Sequence, residues 1–304
     1  MILPDPAAPH EASRAEHHRS EPHLRSLADD AHAPGSERAF HHAEPTLGAP
    51  TPHHRPHIHY TRTRVVDIAP QVFERHRVAS LTADPKADAF RLLRTQLLLQ
   101  MRQHGWRTLA VTSPNKGAGK STIAFNLAVN FALEADHTAL LVDADLRDPY
   151  IRDMLELEPG PGLADHLLGK ASLANLFVHP NVGNLVILPG GAPVALSSEL
   201  MRSPMMAKMV EELRGRYPDR LIVFDVPPIL SGADTLALSA YMDATILLVE
   251  ECKTTRDDIR ASVELLRSSN LVGIVLNKSR ELREPDPITR RKPGFRERFF
   301  GGRS

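Results

Sequence analysis

The chain has 304 residues, room for one large or two small domains, with 37 Lys and Arg against 37 Asp and Glu. That balance excludes a protein that holds nucleic acid mainly by neutralising phosphates, and the single cysteine, Cys252, excludes an internal disulfide framework and fits a reducing cytosol. No apolar run approaches the length of a membrane span, and the opening Met-Ile-Leu-Pro-Asp lacks a cationic region followed by an apolar core, so neither a spanning helix nor a signal peptide is expected.

Residues 1–60 hold 11 of the 16 histidines and 9 of the 25 prolines with few aliphatics. Such a segment buries too little apolar surface to offset its ordering entropy and is expected to be disordered. Its His pairs, among them His17/His18, His41/His42 and His53/His54, have no Cys or supporting partners and define no metal site. Residues 61–80 read as a linker or a short leading strand. A helix follows over about 86–102, where Phe90, Leu93, Leu97 and Met101 form an apolar stripe and Asp88, Arg91 and Arg94, three apart, a polar one. That polar stripe is either a subunit contact or a solvated face with one ion pair.

The strand at 108–111 leads into Thr112-Ser-Pro-Asn-Lys-Gly-Ala-Gly-Lys-Ser-Thr122, and a helix-forming stretch continues from 123 to 133. Gly117 and Gly119 let the backbone curl so that its N–H groups face phosphate oxygens, aided by the positive end of the helix dipole. Lys120 can reach the β/γ-phosphates and the Ser121 hydroxyl is placed to ligate Mg²⁺. Asn115, Lys116, Ala118 and Thr122 complete this cofactor-binding loop. Pro114 stands where the plain phosphate-loop pattern has its first Gly.

Two apolar strands then end in acid. Residues 139–142 run into Asp143-Ala-Asp145-Leu-Arg147, and residues 221–224 into Asp225-Val-Pro-Pro. Unbroken apolar runs suit parallel strands covered on both faces, and their carboxyl ends are where open α/β sheets bind ligands. Either Asp alone could be a turn cap; beside the glycine loop the two fit a metal–phosphate site, with Ser121, Asp143 and Asp225 as metal partners. Short helices over 150–157, 162–168 and 173–177 follow the first acid strand, then a strand over 185–188 and a helix over 204–216. After the second acid strand come a helix over 235–240, a strand over 244–249, a helix over 255–266 and a strand over 272–276. Strands alternating with helices imply an α/β, three-layer P-loop NTPase fold, its mostly parallel sheet flanked by helices on both faces. Residues 280–304 read as a flexible basic tail with Phe295, Phe299 and Phe300 interleaved, which either rests on an anionic membrane surface or is simply solvated.

These motifs resemble those of the bacterial tyrosine kinases of capsule and exopolysaccharide synthesis, over a domain from about 81 to 279. The likeness lies in the Ser/Thr-rich entry to the phosphate loop, Asp143-x-Asp145-x-Arg147 with Pro149 after it, Asp225 to Pro228, and Asp88-x-x-Arg91-x-x-Arg94. Asp88 stands for the family's Glu, and Val226 for its usual hydroxyl residue. The resemblance implies ATP and Mg²⁺ as ligands, with Lys120, Asp143, Asp145 and Asp225 catalytic. Asp143 would orient or deprotonate an acceptor tyrosine, Asp145 would assist with metal or subunit contact, and Asp225 would hold the metal through water. Arg147 would stabilise transition-state charge or pair with a neighbouring subunit, and Asn277 sits where related ATPases touch the adenine.

The resemblance further implies a homo-oligomer built through Asp88, Arg91 and Arg94, and a separate membrane chain-length protein (a polysaccharide co-polymerase) as partner. The chain would then be cytoplasmic, recruited to the inner face of the membrane. One departure bears on output: family members end in a tyrosine cluster, whereas no tyrosine here follows Tyr241. Three readings follow. The first is an ATP-dependent tyrosine kinase regulating polysaccharide polymerisation and export, with acceptors on Tyr60 or another protein. The second is an ATP-binding assembly module with little phosphotransfer. The third is a partition or division-site ATPase, whose additional lysine would fall at Asn115.

Overall fold

A computed structural model describes residues 63–82, 84–217 and 219–279. The segment expected to be disordered over 1–60, Tyr60 at its end, and the basic tail from 280 onward lie outside these residues.

One sheet organises the domain. Its order is β1 (Arg64–Val65), β4 (Val178–His179), β5 (Leu185–Leu188), β3 (Thr138–Asp143), β6 (Arg220–Asp225), β2 (Thr108–Thr112), β7 (Ala244–Glu250) and β8 (Leu271–Asn277). Neighbours run parallel except β4 and β5, which meet antiparallel through Val178 and Ile187. The three central strands, β3, β6 and β2, are buried along their whole length. Their unbroken apolar runs are the consequence: with helices on both faces, each alternate side chain meets a core.

On one face, α1 (Pro70–Arg75), α2 (Ala87–His104) and α3 (Lys120–Ala132) pack Phe73, Leu97, Met101, Phe125 and Phe131 over Val111, Leu141 and Val223. The four-residue α4 (Ile151–Met154) joins this core through Ile151 and Met154. On the other face, α5 (Leu163–Leu167), α6 (Ser197–Met201), α7 (Pro204–Arg216) and α8 (Asp234–Ser239) close over Ala110, Leu140, Ile222 and Phe224 with Leu163, Met201, Met209, Leu213 and Leu238. A smaller cluster joins Ile259 of α9 (Arg256–Leu265) to Leu247 and Val249 of β7. The helix–sheet–helix layering is that of the P-loop NTPases. No described helix is long and apolar enough to cross a membrane.

Residues 61–80, expected as a linker or leading strand, carry more structure than that. Beyond β1 they contribute α1, with Pro70 in its first turn, and a 3₁₀ turn over Ala79–Leu81. Val72, Phe73, Val78 and Ala79 are buried. Two asparagines of α3 fasten the turn: Asn126 Oδ1 accepts from the Ala79 N–H at 2.8 Å, and Asn130 Nδ2 donates to Ser80 Oγ at 2.7 Å. Buried side-chain amides of this kind need such partners, and the lead-in backbone supplies them.

Candidate active site

The site forms where β2, β3 and β6 end together. Parallel pairing sets Asp143 directly opposite Asp225, and Asp225 opposite Val111, the second-last residue before the phosphate loop. Strand register thus delivers both acids to the mouth of the loop.

The loop itself is shaped by two glycines. Gly117 has φ 85° and Gly119 φ 94°, left-handed values that strain any side chain. At Gly119 a β-carbon would also stand 2.5 Å from Asn277 Nδ2, so that side-chain amide would have to move. Asn277, at the end of β8, uses that nitrogen to donate to the Ala118 carbonyl at 2.7 Å, and Lys278 Nζ donates to the Gly117 carbonyl at 2.7 Å. Lys278 also pairs with Glu250 at 3.0 Å. With two of its carbonyls held by β8 and the residue after it, the loop has N–H groups left over for a phosphate. α3 begins at Lys120, directly after the loop, and its first-turn N–H groups add to that cradle.

Four ionisable side chains meet there, all nearly buried: Lys120 is 8% exposed, Asp143 0%, Asp145 6% and Asp225 1%. Lys120 Nζ lies 3.6 Å from Asp145 Oδ2. Burial pushes the Asp225 carboxyl up to about 6, against the opposing pull of the Lys120 ammonium and the Ser121 hydroxyl. Burial, then the charge of Asp225, drives Asp143 well above the ordinary carboxylate range, although the N–H groups of Ile151 and Tyr150 pull the other way. Asp145 is raised by burial too, with Lys120 opposing.

Hydrogen bonding divides the roles of these oxygens. Asp143 Oδ2 accepts from the Tyr150 and Ile151 N–H groups, each at 3.0 Å, which fixes the carboxylate. Its Oδ1 and both oxygens of Asp225 are buried with no partner of ordinary hydrogen-bond geometry. Gly190 packs against Asp143 from the far side, where a β-carbon would stand 3.3 Å from the Asp143 Cγ. Orphaned buried oxygens of this kind are costly unless a cation or donor meets them. The residues therefore fit a small hard cation. Among the described residues no set of three His, Cys, Asp or Glu could hold a metal alone, so phosphate and water oxygens must complete its shell, the habit of Mg²⁺.

The other residues anticipated for the site are placed as follows. Asn115 Nδ2 donates to Asp258 Oδ2 of α9 at 3.1 Å, and Lys116 Nζ pairs with Asp148 at 3.0 Å in the open. Arg147 does not join the four buried groups; its Nη2 pairs with Asp234 Oδ2 at 2.7 Å and its Nε donates to Ser197 Oγ at 3.0 Å. Arg91 pairs with Asp88 on the exposed side of α2 at 2.5 Å, whereas Arg94 turns inward to Glu134 at 2.6 Å. Sequence reasoning missed Asp234 and Lys278. Lys278 was within reach of it, since it follows Asn277 directly at a strand end.

The family model ParA, described as NUBPL iron-transfer P-loop NTPase, matches residues 106–284. The chain is 32% identical over 219 residues to the putative tyrosine-protein kinase EpsB of Ralstonia solanacearum, covering 70% of this chain and 29% of that protein. It is 32% identical over 199 residues to the tyrosine-protein kinase YwqD of Bacillus subtilis, covering 64% of this chain and 83% of YwqD. A solved structure of the chimerical protein CapA2B2 matches with a TM-score of 0.63 at 25% identity, covering 72% of this chain and 94% of that one. The matched region therefore accounts for under a third of EpsB but most of YwqD.

Proposed function

Since the chain belongs to the bacterial tyrosine kinase family and carries its P-loop NTPase domain, we propose that it transfers the γ-phosphoryl group of ATP to tyrosine hydroxyls, in the service of exopolysaccharide or capsule polymerisation and export. The observation that carries this reading is the cluster itself: one buried ammonium, three buried carboxylates and a glycine loop, with unpartnered carboxylate oxygens facing the place a nucleotide's phosphates would take.

The geometry supports the following roles. The loop N–H groups and Lys120 bind the β- and γ-phosphates and oppose the negative charge that builds as the bridging bond breaks. Ser121 and Asp225 would hold Mg²⁺, with Asp143 beside them; the ion, when bound, would neutralise phosphate charge. Asp143 Oδ1 is the free oxygen of a carboxylate already fixed through Oδ2. It receives the hydroxyl proton as the tyrosine oxygen bonds to the γ-phosphorus and ADP departs. A carboxylate made more basic by burial suits that task, provided it is ionised when the acceptor arrives. Asp145 keeps Lys120 aimed.

A second reading is an ATP-gated assembly module with little phosphotransfer. A membrane chain-length protein as a separate partner is in keeping with the chimerical composition of the CapA2B2 relative. The deciding experiment incubates the full chain with ATP and Mg²⁺, alone and with a tyrosine-containing synthetic polymer, and reads phosphotyrosine, with Lys120→Met as control. Signal from the wild type and none from the variant supports the kinase. ATP uptake with no phosphotyrosine on either acceptor supports the assembly module.

A further inference from the structure

Asp234, at the start of α8, is 2% exposed, and the chemistry described so far makes no use of it. Its Oδ2 receives Arg147 Nη2 at 2.7 Å, while its Oδ1 is buried with no partner. The same guanidinium donates through Nε to Ser197 Oγ at 3.0 Å, and Ser197 is itself fully buried at the start of α6. Gly232 lies against the same guanidinium: a β-carbon there would stand 2.9 Å from Arg147 Nη2 and 3.1 Å from its Cζ. α6, α8 and the segment leading into α8 all converge on one arginine side chain.

Arg147 keeps 40% of its side chain accessible, so the pair has one open end and one buried end. A fully buried carboxylate is costly, and an arginine that meets it through a single contact leaves one oxygen unsatisfied where a forked pair would satisfy both. A buried oxygen left unmet in this way calls for an explanation.

Arg147 lies two residues beyond Asp145 and four beyond Asp143. The other side-chain ion pairs on this loop are Asp145 with Lys120 at 3.6 Å and the exposed pair of Asp148 with Lys116. The far end of the tie is equally well placed. Asp234 closes the connection that begins at Asp225. That connection is bound to the phosphate loop by Ile229 N–H to the Ser113 carbonyl at 2.8 Å and Leu230 N–H to the Pro114 carbonyl at 3.3 Å. Thr235 Oγ1 donates back to the Pro227 carbonyl at 2.7 Å. One ion pair thus joins the loop carrying Asp145 to a segment already fastened to the loop carrying Lys120.

We propose that Asp234 is a positioning residue acting through Arg147: it anchors the loop over residues 144–148 so that Asp145 faces Lys120 and Asp143 Oδ1 stays open to the acceptor. The inference rests on the phosphotransfer reading for its catalytic consequence but not for its structural one.

The test uses the full chain as wild type, Asp234→Asn, Ser197→Ala, Arg147→Lys and the double variant Arg147→Gln/Asp234→Asn. Backbone hydrogen exchange is followed over peptides spanning 144–150, with melting temperature, affinity for a fluorescent ATP analogue, and phosphotransfer to a tyrosine polymer. Asp234→Asn is expected to speed exchange at 144–150 at least about threefold and to lower kcat about tenfold, with KM for ATP and nucleotide affinity held within about twofold, the pattern of misplaced rather than missing groups. Arg147→Lys, which keeps the charge but cannot hold Asp234 and Ser197 together, should do the same. The double variant should be no worse than either change alone, and Ser197→Ala should show a weaker form of the effect. Unchanged exchange at 144–150 in Asp234→Asn overturns the proposal, as does faster exchange spread over the whole domain with a lowered melting temperature. Should Asp234→Asn fail to fold, Ser197→Ala and Arg147→Lys decide by the same exchange readout. A wild type that transfers no phosphate overturns the kinase reading alone, and the exchange result still decides the role of Asp234.

Discussion

Asn277 and Gly119 meet behind the phosphate loop, where the asparagine's amide nitrogen lies 2.5 Å from the point a β-carbon at 119 would occupy. The same nitrogen holds the Ala118 carbonyl, so loop shape and strand β8 are set together. Gly119→Ala must both strain a left-handed φ of 94° and push Asn277 off its acceptor. We expect a loss of about 1–2 kcal/mol in unfolding free energy and at least about a tenfold loss of ATP affinity. Asn277→Ala should weaken ATP binding less, because the glycine's conformation survives. Chemical denaturation with nucleotide titration on both variants checks the ranking; equal losses would mean that the two residues do not act on one another.

The carboxylates of the site predict an unusual pH dependence. Burial raises Asp225 from an ordinary value of 3.8 to about 6 and drives Asp143 upward as well. Between those two values the folded chain keeps a proton that the unfolded chain has released. The contribution to stability is therefore full below about pH 4 and is lost as pH rises through about 6. Replacing Asp225 by Asn removes that dependence. Denaturation of the nucleotide-free protein at pH 4.5, 6 and 7.5 should show Asp225→Asn gaining on the wild type as pH rises, by on the order of 2 kcal/mol across the range. ATP–Mg²⁺ should act oppositely, binding the wild type more tightly as the acids ionise. A stability difference that stays flat with pH would refute this account.

Much of this arrangement can be read from local sequence, and the unread part has a common cause. Strand β5 and helix α7 begin and end at Leu185–Leu188 and Pro204–Arg216, where apolar runs and the Ser203-Pro204 start declare themselves. Lys120, Asp143 and Asp225 are likewise marked by the junctions they occupy. Strands β1 and β4, two residues each, are too short to show a period. Asn126 and Asn130 look like ordinary polar positions within a helix until the turn at Ala79 is laid over them. Arg94 falls on the polar stripe of α2, yet its partner Glu134 lies forty residues away, and the Arg147–Asp234 pair spans a greater gap. Spacing along one element says which face a side chain shares but nothing of what the fold brings to meet it.

That distinction matters for any test of assembly. Asp88 and Arg91 are exposed on α2, with side chains 86% and 57% accessible, whereas Arg94 is inward, ion-paired to Glu134 and has its Nε buried without a partner. Arg91→Ala should leave stability within about 0.5 kcal/mol of wild type, so a fall in oligomer size would report a lost subunit contact. Arg94→Ala should cost about 1–2 kcal/mol by itself, and a smaller particle would be ambiguous. Sedimentation velocity paired with denaturation on each single variant separates the two effects. An Arg91→Ala protein with unchanged mass distribution under ATP–Mg²⁺ would argue against a contact through this stripe.

Lys120 opposes two of the three buried acids, Asp145 and Asp225, and removing it has two consequences that can be told apart. ATP loses its principal cation, so affinity should fall by at least about tenfold. In the nucleotide-free protein the acids lose their compensating charge, which in a buried setting costs roughly 3–5 kcal/mol when they are ionised. Lys120→Met should therefore be destabilised near pH 7.5 and close to wild type near pH 4.5, where Asp225 and Asp143 hold protons. Adding Asp145→Asn removes the carboxylate 3.6 Å from the ammonium and should restore about half of the lost stability without restoring ATP binding. Denaturation at both pH values on the single and double variants measures the coupling. Strict additivity of Lys120→Met and Asp145→Asn would mean the pair seen in the structure has no energetic weight, and Lys120 would then have to be placed by the loop alone.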